Sequence, residues 1–159
     1  MTRSFRIRAA RPAEVPALTD IAQAAYAPYV ALIGRAPPPM LQPFAEDIAE
    51  DRVLVAVTPD APTGPEMLGY VVSRPAAEPG DWLVENLAVS PKAKGLGLGR
   101  ALIEAAEARG LAAGCTRAVL YTNAAMTANL TLYPHLGYVE TGRAEQSGLH
   151  RVFFAKPLG

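Results

Sequence analysis

The sequence predicts an α/β fold in which helices pack on both faces of one mixed sheet. The first observation behind this prediction is the order of the periodic segments: strands come first, a strand–helix–strand unit follows, and a helix and two strands close the chain. The second is a glycine-rich turn at residues 95–99, which joins the most convincing strand to an amphipathic helix. A chain of 159 residues without repeats or linkers suits one domain, so we expect residues 1–159 to form a single domain.

Apolar residues that alternate with polar ones predict the strands. Residues 5–9 alternate Phe, Ile and Ala with arginines, which is typical of a half-buried strand. Residues 52–57 and 67–73 flank a turn rich in Pro and Gly at 59–65, a pattern that predicts a hairpin. The remaining strands are predicted at 81–89, 117–121, 138–140 and 151–155.

Helical spacing of apolar residues and terminal Pro and Gly residues predict four helices. The first begins at Pro12, where the missing N–H costs no hydrogen bond, and runs to about Tyr26, because Pro28 is expected to disturb its end. The third opens in the glycine-rich turn and ends before Gly114, which suits the left-handed residue after a helix. The other two are predicted at 42–50 and 125–136.

The composition argues against several classes of function. The 15 basic and 15 acidic residues balance, so no general attraction to nucleic acid or to an anionic membrane is expected. Cys115 is the one cysteine, which fits a reduced compartment and predicts a cytoplasmic protein. The sequence has neither a visible signal peptide nor an apolar run of the roughly 20 residues that a membrane helix needs.

The glycine-rich turn is the first candidate site. At a helix N-terminus, free N–H groups and the helix dipole bind anions such as phosphates, and glycines let a pyrophosphate approach the backbone. Lys94 and Arg100 add positive charge nearby. The alternative is an ordinary strand–helix turn whose glycines serve packing.

Two familiar phosphate loops do not fit this turn. A P-loop requires Gly-Lys and then Ser or Thr after a four-residue spacing, which is absent. The dinucleotide fingerprint requires glycine at the position of Arg100 and an acidic residue at the end of the next strand, where the chain has Tyr121, Thr122 and Asn123.

A third pattern fits. The run KGLGLG at residues 94–99 resembles the acetyl-CoA signature of the GNAT superfamily of N-acetyltransferases, Gln/Arg-x-x-Gly-x-Gly/Ala, with Lys in the first place. The run LYPHLGY at 132–138 looks like the Leu-Tyr-x-x-x-Gly-Phe/Tyr element of the same family. The resemblance is close over residues 81–140, and it implies a GNAT-like, mostly antiparallel sheet of about seven strands with a splayed parallel pair at its centre.

The resemblance also implies acetyl-CoA as co-substrate, no metal, and direct transfer of the acetyl group to a primary amine in a ternary complex. Pantetheine is expected in the opening between the splayed strands, where it bonds the backbone of Leu87, Ala88 and Val89. The pyrophosphate is expected over the glycine-rich turn. The residues implied there are Lys94, Gly95, Leu96, Gly97, Leu98, Gly99 and Arg100.

Acetyl transfer to an amine requires a neutral amine, a polarised thioester carbonyl and stabilisation of the departing thiolate. A strand N–H, that of Ala88 or Val89, is a candidate for the carbonyl. Tyr133 matches the family tyrosine whose hydroxyl points at the CoA sulfur, and the alternative is a core tyrosine. Because Pro134 follows it, we expect Tyr133 in the last regular turn of its helix or in a kink.

Glu85 is the candidate base, directly or through a water. The family often carries its glutamate about two residues earlier, at Leu83 of this chain, on the same face of the strand. The alternative is an exposed strand carboxylate. A second departure is Met126, where the family often has the Asn that touches pantetheine; Asn129, one turn before the tyrosine, is the candidate replacement, and Asn123 is a weaker one.

The acceptor is the least specified part of the prediction. The segment between the first strand and the second helix is expected to form one wall of its pocket with Tyr26, Tyr29, Arg35, Met40 and the prolines at 37–39, or simply to cap the core. We expect a small-molecule amine as partner, with no nucleic acid or membrane and with a homodimer left open. The alternatives are a protein N-terminal or lysine acetyltransferase and a non-catalytic acetyl-CoA-binding module.

Overall fold

The computed structural model describes residues 5–59 and 66–159, so most of the predicted turn at 59–65 lies outside the described residues. Within these ranges seven strands form one sheet in the order β1-β2-β3-β4-β5-β7-β6. Its pairs are antiparallel except for β4 and β5, which run parallel at the centre. The strands are β1 (Arg6–Ala9), β2 (Val53–Val57), β3 (Met67–Pro75), β4 (Asp81–Val89), β5 (Arg117–Asn123), β6 (Val139–Gln146) and β7 (Leu149–Pro157). The helices are α1 (Val15–Ile33), α2 (Phe44–Ala49), α3 (Leu98–Ala112) and α4 (Thr127–His135).

Two apolar cores lie on opposite faces of the sheet, as the alternation along the strands predicted. Along β3, Val71 packs into a core with helix α3, whereas Tyr70 and Val72 pack into a core with helix α1. Successive side chains of a strand point to opposite faces, so α1 and α3 cover different sides of the sheet. The predicted mixed sheet with helices on both faces and a central parallel pair is confirmed.

Helix α1 corrects the prediction that Pro28 disturbs the end of a helix near Tyr26. A short 3₁₀ turn at Pro12–Glu14 precedes the helix, which continues through Pro28 to Ile33 and ends at Gly34 with a φ of 87°. Pro28 removes one backbone hydrogen bond. Tyr29 and Ile33, beyond it, pack against the core on this face of the sheet, and this burial offsets the lost bond.

Strand β6 is longer than the predicted strand at 138–140. All eight of its residues are exposed, so it carries no alternation of apolar and polar residues. Its pairing with β7 fixes it instead, from Val139 opposite Ala155 to Gln146 opposite Leu149.

The parallel pair at the centre of the sheet is short. Strands β4 and β5 are paired only from Asp81 opposite Arg117 to Leu83 opposite Val119. Beyond Leu83 the two strands part, and the edge of β4 that faces β5 has no ladder partner.

A β-bulge lies where the strands part. On the other side of β4, Asn86 is opposite Val72 and Val84 is opposite Ser73, so Glu85 is an extra residue without a partner in β3. The bulge changes the face to which the strand presents its side chains. Val84 therefore packs into the core with α3, whereas Ala88 packs into the core with α1.

No helix in residues 5–59 and 66–159 is long and apolar enough to cross a membrane.

Helix α3 packs against β4 through a glycine, and this contact gives a test of the fold. A Cβ on Gly110 would lie 2.6 Å from Cγ of Trp82. We expect Gly110→Ala to lower the free energy of unfolding, because overpacking costs about 1–3 kcal/mol and outweighs a gain in helix propensity of about 1 kcal/mol. Urea unfolding measures the change.

Gly99 provides the matched control in the same helix, because a Cβ there would meet nothing within 4 Å. Gly99→Ala should leave the free energy of unfolding unchanged or raise it by up to about 1 kcal/mol. Equal effects of the two substitutions would contradict the close packing of α3 on β4.

Candidate functional site

A cavity of about 250 Å³ opens where β4 and β5 part. Its wall is built from the connection between α1 and α2, the bulged part of β4, the end of β5, helix α4 and the start of β7. Both residues of the bulge, Glu85 and Asn86, line it although they are adjacent in the sequence. The predicted site residues that line this cavity are Glu85, Leu87, Asn129 and Tyr133.

Asn86 is the centre of a buried hydrogen-bond network that the sequence analysis missed. Its Oδ1 accepts from the hydroxyls of Tyr26, at 3.1 Å, and Tyr70, at 3.0 Å. Its Nδ2 donates to the carbonyl of Pro39, at 3.3 Å, and to Oε1 of Gln42, at 3.1 Å. An amide that is 3% exposed is costly to bury without partners, and here both its oxygen and its nitrogen have them. The signal in the sequence was a lone Asn inside an apolar strand.

The hydroxyls that meet at Asn86 remain protonated. Burial raises the pKa of Tyr26 well above its usual value, and burial also raises the pKa of Tyr70. The Tyr26 hydroxyl also lies 2.7 Å from the carbonyl of Leu87, one of the backbone groups predicted to meet pantetheine. Tyr26 therefore ties helix α1 to β4 beside the opening between β4 and β5.

Glu85 is held from two sides. Its Oε1 forms an ion pair with Nη2 of Arg74 at 2.8 Å, and its Oε2 accepts from Nε2 of Gln42 at 2.9 Å. Gln42 Nε2 also donates to Oδ2 of buried Asp47 at 2.8 Å. The side chain of Glu85 is 17% exposed, so the carboxylate faces the cavity rather than bulk solvent.

Tyr133 lies in the last turn of α4, which ends at His135 although Pro134 interrupts its hydrogen bonds. Its ring packs against those of Phe154, at 5.7 Å, and Tyr138, at 6.0 Å between centroids. Burial raises the pKa of Tyr133 to about 12. Among the described residues its hydroxyl has no hydrogen-bond partner, and the side chain lines the cavity. Tyr133 thus combines a packed ring with a hydroxyl that is free to donate.

Asn129 is one turn before Tyr133 on α4. Its Nδ2 donates to Oγ1 of Thr122 at 3.1 Å and contacts Sδ of Met126 at 3.7 Å. Met126 itself is buried against the core with α1. Asn123 is committed to a turn, because its Oδ1 accepts from the N–H of Ala125 at 2.8 Å. Of the two amides considered for the pantetheine contact, Asn129 keeps its side-chain oxygen free within the described part of the chain.

The glycine-rich turn forms a second, open concavity that helix α4 borders from the other side. This concavity is lined by Val89, Ala93, Lys94, Gly95, Gly97, Leu98, Gly99 and Arg100, together with Leu132 and His135 of α4 and Leu136 directly after it. Of the residues predicted for acetyl-CoA, Ala88 is buried in the core with α1 and Leu96 packs against the core with α3, and neither lines these two concave surfaces. Helix α4 and the end of β4 therefore connect the two concave surfaces.

The three glycines of the turn do not serve packing. A Cβ on Gly95, Gly97 or Gly99 would meet nothing within 4 Å. Gly95 and Gly97 have positive φ angles of 85° and 75°, which favour glycine. Gly99 has neither a positive φ nor a close neighbour, and glycine weakens a helix by about 1 kcal/mol relative to alanine. The absence of a side chain at Gly99 therefore leaves open space over the N-terminus of the helix, where an anion can bind.

The residues predicted for the acceptor wall are divided between this cavity and other places in the fold. Tyr26 and the prolines at 37–39 line the cavity, but Tyr29, Arg35 and Met40 do not. Nη2 of Arg35 instead donates to the carbonyl of Ser147 in the turn between β6 and β7. The arginines that line the cavity come from strands or their ends: Arg52, Arg74 and Arg151.

Among the described residues no group of three or more His, Cys, Asp or Glu side chains could hold a metal ion.

A sequence model of the acetyltransferase (GNAT) family matches residues 16–138. No curated protein sequence matches the chain. The ribosomal-protein alanine N-acetyltransferase of Escherichia coli superposes with a TM-score of 0.73 at 21% identity, over 98% of this chain and 95% of that one. The paia N-acetyltransferase of Thermoplasma acidophilum, in complex with coenzyme A, gives 0.75 at 15% identity, over 97% and 99%.

The chain also resembles nourseothricin acetyltransferase, with a TM-score of 0.60 and 21% identity over 67% of this chain. It spans 65% of the length of that protein. At such identities these structures establish the fold alone.

The space above Gly99 predicts how a substitution there affects CoA. We expect Gly99→Val to weaken CoA binding by about tenfold or more, the equivalent of about 1.4 kcal/mol, because the side chain occupies the space over the N–H groups of the helix. Calorimetric titration with CoA measures the affinity, and circular dichroism checks the fold.

Gly99→Ala is the control, since the acetyl-CoA signature accepts Gly or Ala at this place. It should keep CoA affinity within about threefold, because a methyl group finds open space there. If Gly99→Val binds CoA as the unchanged protein does, the turn does not hold the phosphates.

Proposed function

The chain belongs to the acetyltransferase (GNAT) family, and from that premise we propose that it transfers the acetyl group of acetyl-CoA directly to the primary amine of a small molecule. The observation that carries this proposal is the cavity between β4 and β5, whose lining includes the carboxylate of Glu85 and the side chain of Tyr133. It joins the glycine-rich turn through α4 and the end of β4, so a thioester and an amine can meet in it.

A hydrogen bond between two segments that border the cavity supports a small acceptor. The α1–α2 connection and the start of β7 both line the cavity. Arg35 of this connection donates to the carbonyl of Ser147 in the turn before β7, and its Nη2 also lies 3.5 Å from where a Cβ on Gly148 would be. A peptide acceptor needs an open groove between these segments, whereas a small amine fits a cavity of about 250 Å³.

The glycine-rich turn and the free edge of β4 form the site that we propose for acetyl-CoA. Acetyl-CoA supplies the thioester. Lys94 and Arg100 are exposed beside the turn. Within residues 5–59 and 66–159, Arg100 has only a long ion pair of 3.9 Å with Glu104, so both cations are available to phosphates. The ladder between β4 and β5 ends at Leu83, which leaves backbone groups of residues 87–89 for pantetheine and for the carbonyl of the acetyl group.

Glu85 is the base in this proposal. An alkylammonium has a pKa of about 10, so the amine must lose a proton before it attacks. Arg74 and Gln42 each bond one oxygen of Glu85 and fix the carboxylate towards the cavity. Each oxygen keeps a lone pair that can accept the amine proton, directly or through a water.

Tyr133 is the group that stabilises the thiolate in this proposal. With a pKa of about 12, the hydroxyl is protonated throughout the neutral range. It is a weaker acid than a thiol, whose pKa is about 8.5, so complete transfer of its proton would be uphill. Its role is therefore a hydrogen bond to the charge that develops on sulfur, from a hydroxyl with no competing partner among the described residues. In the same proposal, Asn129 contacts the pantetheine of acetyl-CoA through its side-chain oxygen, which has no partner among the described residues.

A comparison of acceptors tests the proposed function. Small primary amines should support release of the CoA thiol. For peptides that carry a free N-terminus or an internal lysine, kcat/KM should be lower by at least about tenfold, which corresponds to about 1.4 kcal/mol of transition-state stabilisation. Neighbours that act on proteins share the fold, so peptides are the relevant competitors. Faster turnover of peptides would contradict a small acceptor, and thiol release with no amine at all would contradict transfer.

Two substitutions separate the proposed roles of Tyr133 and Glu85. Tyr133→Phe should lower kcat by about a hundredfold or more at saturating substrates, with acetyl-CoA binding kept, because only the hydroxyl is lost. Its pH profile should match that of the unchanged enzyme. Glu85→Gln should make kcat/KM rise with pH up to the pKa of the amine, near 10, because a neutral amine must then come from solution.

Tyr121→Phe is the matched control, because Tyr121 lines the same cavity but has no proposed role for its hydroxyl. It should retain kcat within about threefold, well below the loss of about a hundredfold that follows removal of a donor to developing charge. A Tyr133→Phe enzyme with equally unchanged kcat would reduce Tyr133 to a packing residue.

A further inference from the structure

Three arginines line the cavity, and two of them are already paired with carboxylates. Arg74 is paired with Glu85 at 2.8 Å, and Arg52 with Asp47 at 3.4 Å. Arg151, at the start of β7, has no ion pair among the described residues. It therefore brings an uncompensated positive charge to the cavity wall.

The guanidinium of Arg151 is held in place by neutral groups. It stacks over the ring of Tyr121, with Cζ 4.4 Å from the ring centroid, and Nη1 donates to Oε1 of Gln146 at 2.8 Å. Within the described chain, Nε and Nη2 have no hydrogen-bond partner. The side chain is half-buried and lines the cavity, so an arginine of this cavity keeps two adjacent N–H donors unpaired.

Elsewhere in the molecule the same edge of arginine holds a carboxylate. Nε and Nη2 of Arg117 donate to the two oxygens of Asp81, at 3.0 and 2.8 Å. Nε and Nη2 of Arg143 bind Glu140 in the same way, at 3.1 and 3.0 Å. A planar carboxylate is the partner that suits this pair of donors.

The charged side chains of the cavity lining leave one unpaired group of each sign. Once the Arg74–Glu85 and Arg52–Asp47 pairs are set aside, Arg151 and Glu46 remain, one of each sign. Glu46 lies at the exposed rim and has no ion pair among the described residues.

We propose that the acceptor is a small amino acid, whose carboxylate is bound by the Nε–Nη2 edge of Arg151 while its amine faces Glu85. This inference rests on the proposed function, since it names the acceptor of the same site. Arg151 is a specificity-determining residue here: it binds the acceptor and takes no part in the transfer of the acetyl group. The apolar prolines at 37–39 and Leu149 line the same cavity and suit an aliphatic side chain.

The test compares leucine and methionine with their amides, which lack the carboxylate charge. Binding is measured calorimetrically on the CoA complex, and transfer is measured separately by thiol release with acetyl-CoA. We expect the binding affinity and the rate of thiol release to be at least about thirtyfold higher for the amino acids than for the amides. The reason is that an amide leaves the charge of Arg151 unpaired. Arg151→Met should remove this preference while CoA affinity stays unchanged, and Arg151→Lys should restore part of it.

Arg143→Met is the control for general loss of a positive charge, because Arg143 is an exposed arginine outside the cavity. It should keep the full preference for amino acids. Equal binding of acids and amides, binding of neither, or a preference that survives Arg151→Met would overturn the inference. Preference in binding without any thiol release would contradict the proposed function and still support Arg151 as a carboxylate site.

Discussion

The separation of β4 from β5 is the constraint on which the rest of the structure depends. A parallel ladder that stops after three pairs leaves the edge of a central strand without partners, and such groups are costly unless something binds them. The bulge at Glu85 lies at the same point and turns two successive polar side chains, Glu85 and Asn86, to one face. One irregularity of the sheet thus creates the opening, supplies its carboxylate and leaves backbone donors along its edge.

The surroundings hold this irregularity in place. Asn86 is bonded by hydroxyls from α1 and β3 and bonds the segment before α2, so three elements are tied to the bulge. Gln42 extends the network to Glu85 and fixes the carboxylate. Tyr133 reaches the opposite wall on a ring that is packed against β7, which leaves its hydroxyl free. The proposed chemistry therefore uses groups that buried contacts have already oriented.

The sequence predicted the elements whose signal is local. The apolar residues at 81–89 and the glycines of the turn predicted a strand and a helix start where the structure has them. Three features depend on partners far along the chain and had no local signal. Strand β6 is exposed throughout and is fixed by β7. Helix α1 passes Pro28 because partly buried residues after it pack against the core, and the bulge at Glu85 is defined by its register against β3. The orientation of Arg151 likewise depends on Tyr121, which comes from another strand.

The claim that acetyl-CoA completes the free edge of β4 is tested most directly by amide hydrogen exchange. Exchange is followed by mass spectrometry with and without saturating acetyl-CoA. We expect slower exchange in peptides that cover residues 84–90 and 94–100, because backbone groups there gain partners, and no change in β1 or β2 at the far side of the sheet. Binding of acetyl-CoA that leaves exchange at 84–90 unchanged would contradict it.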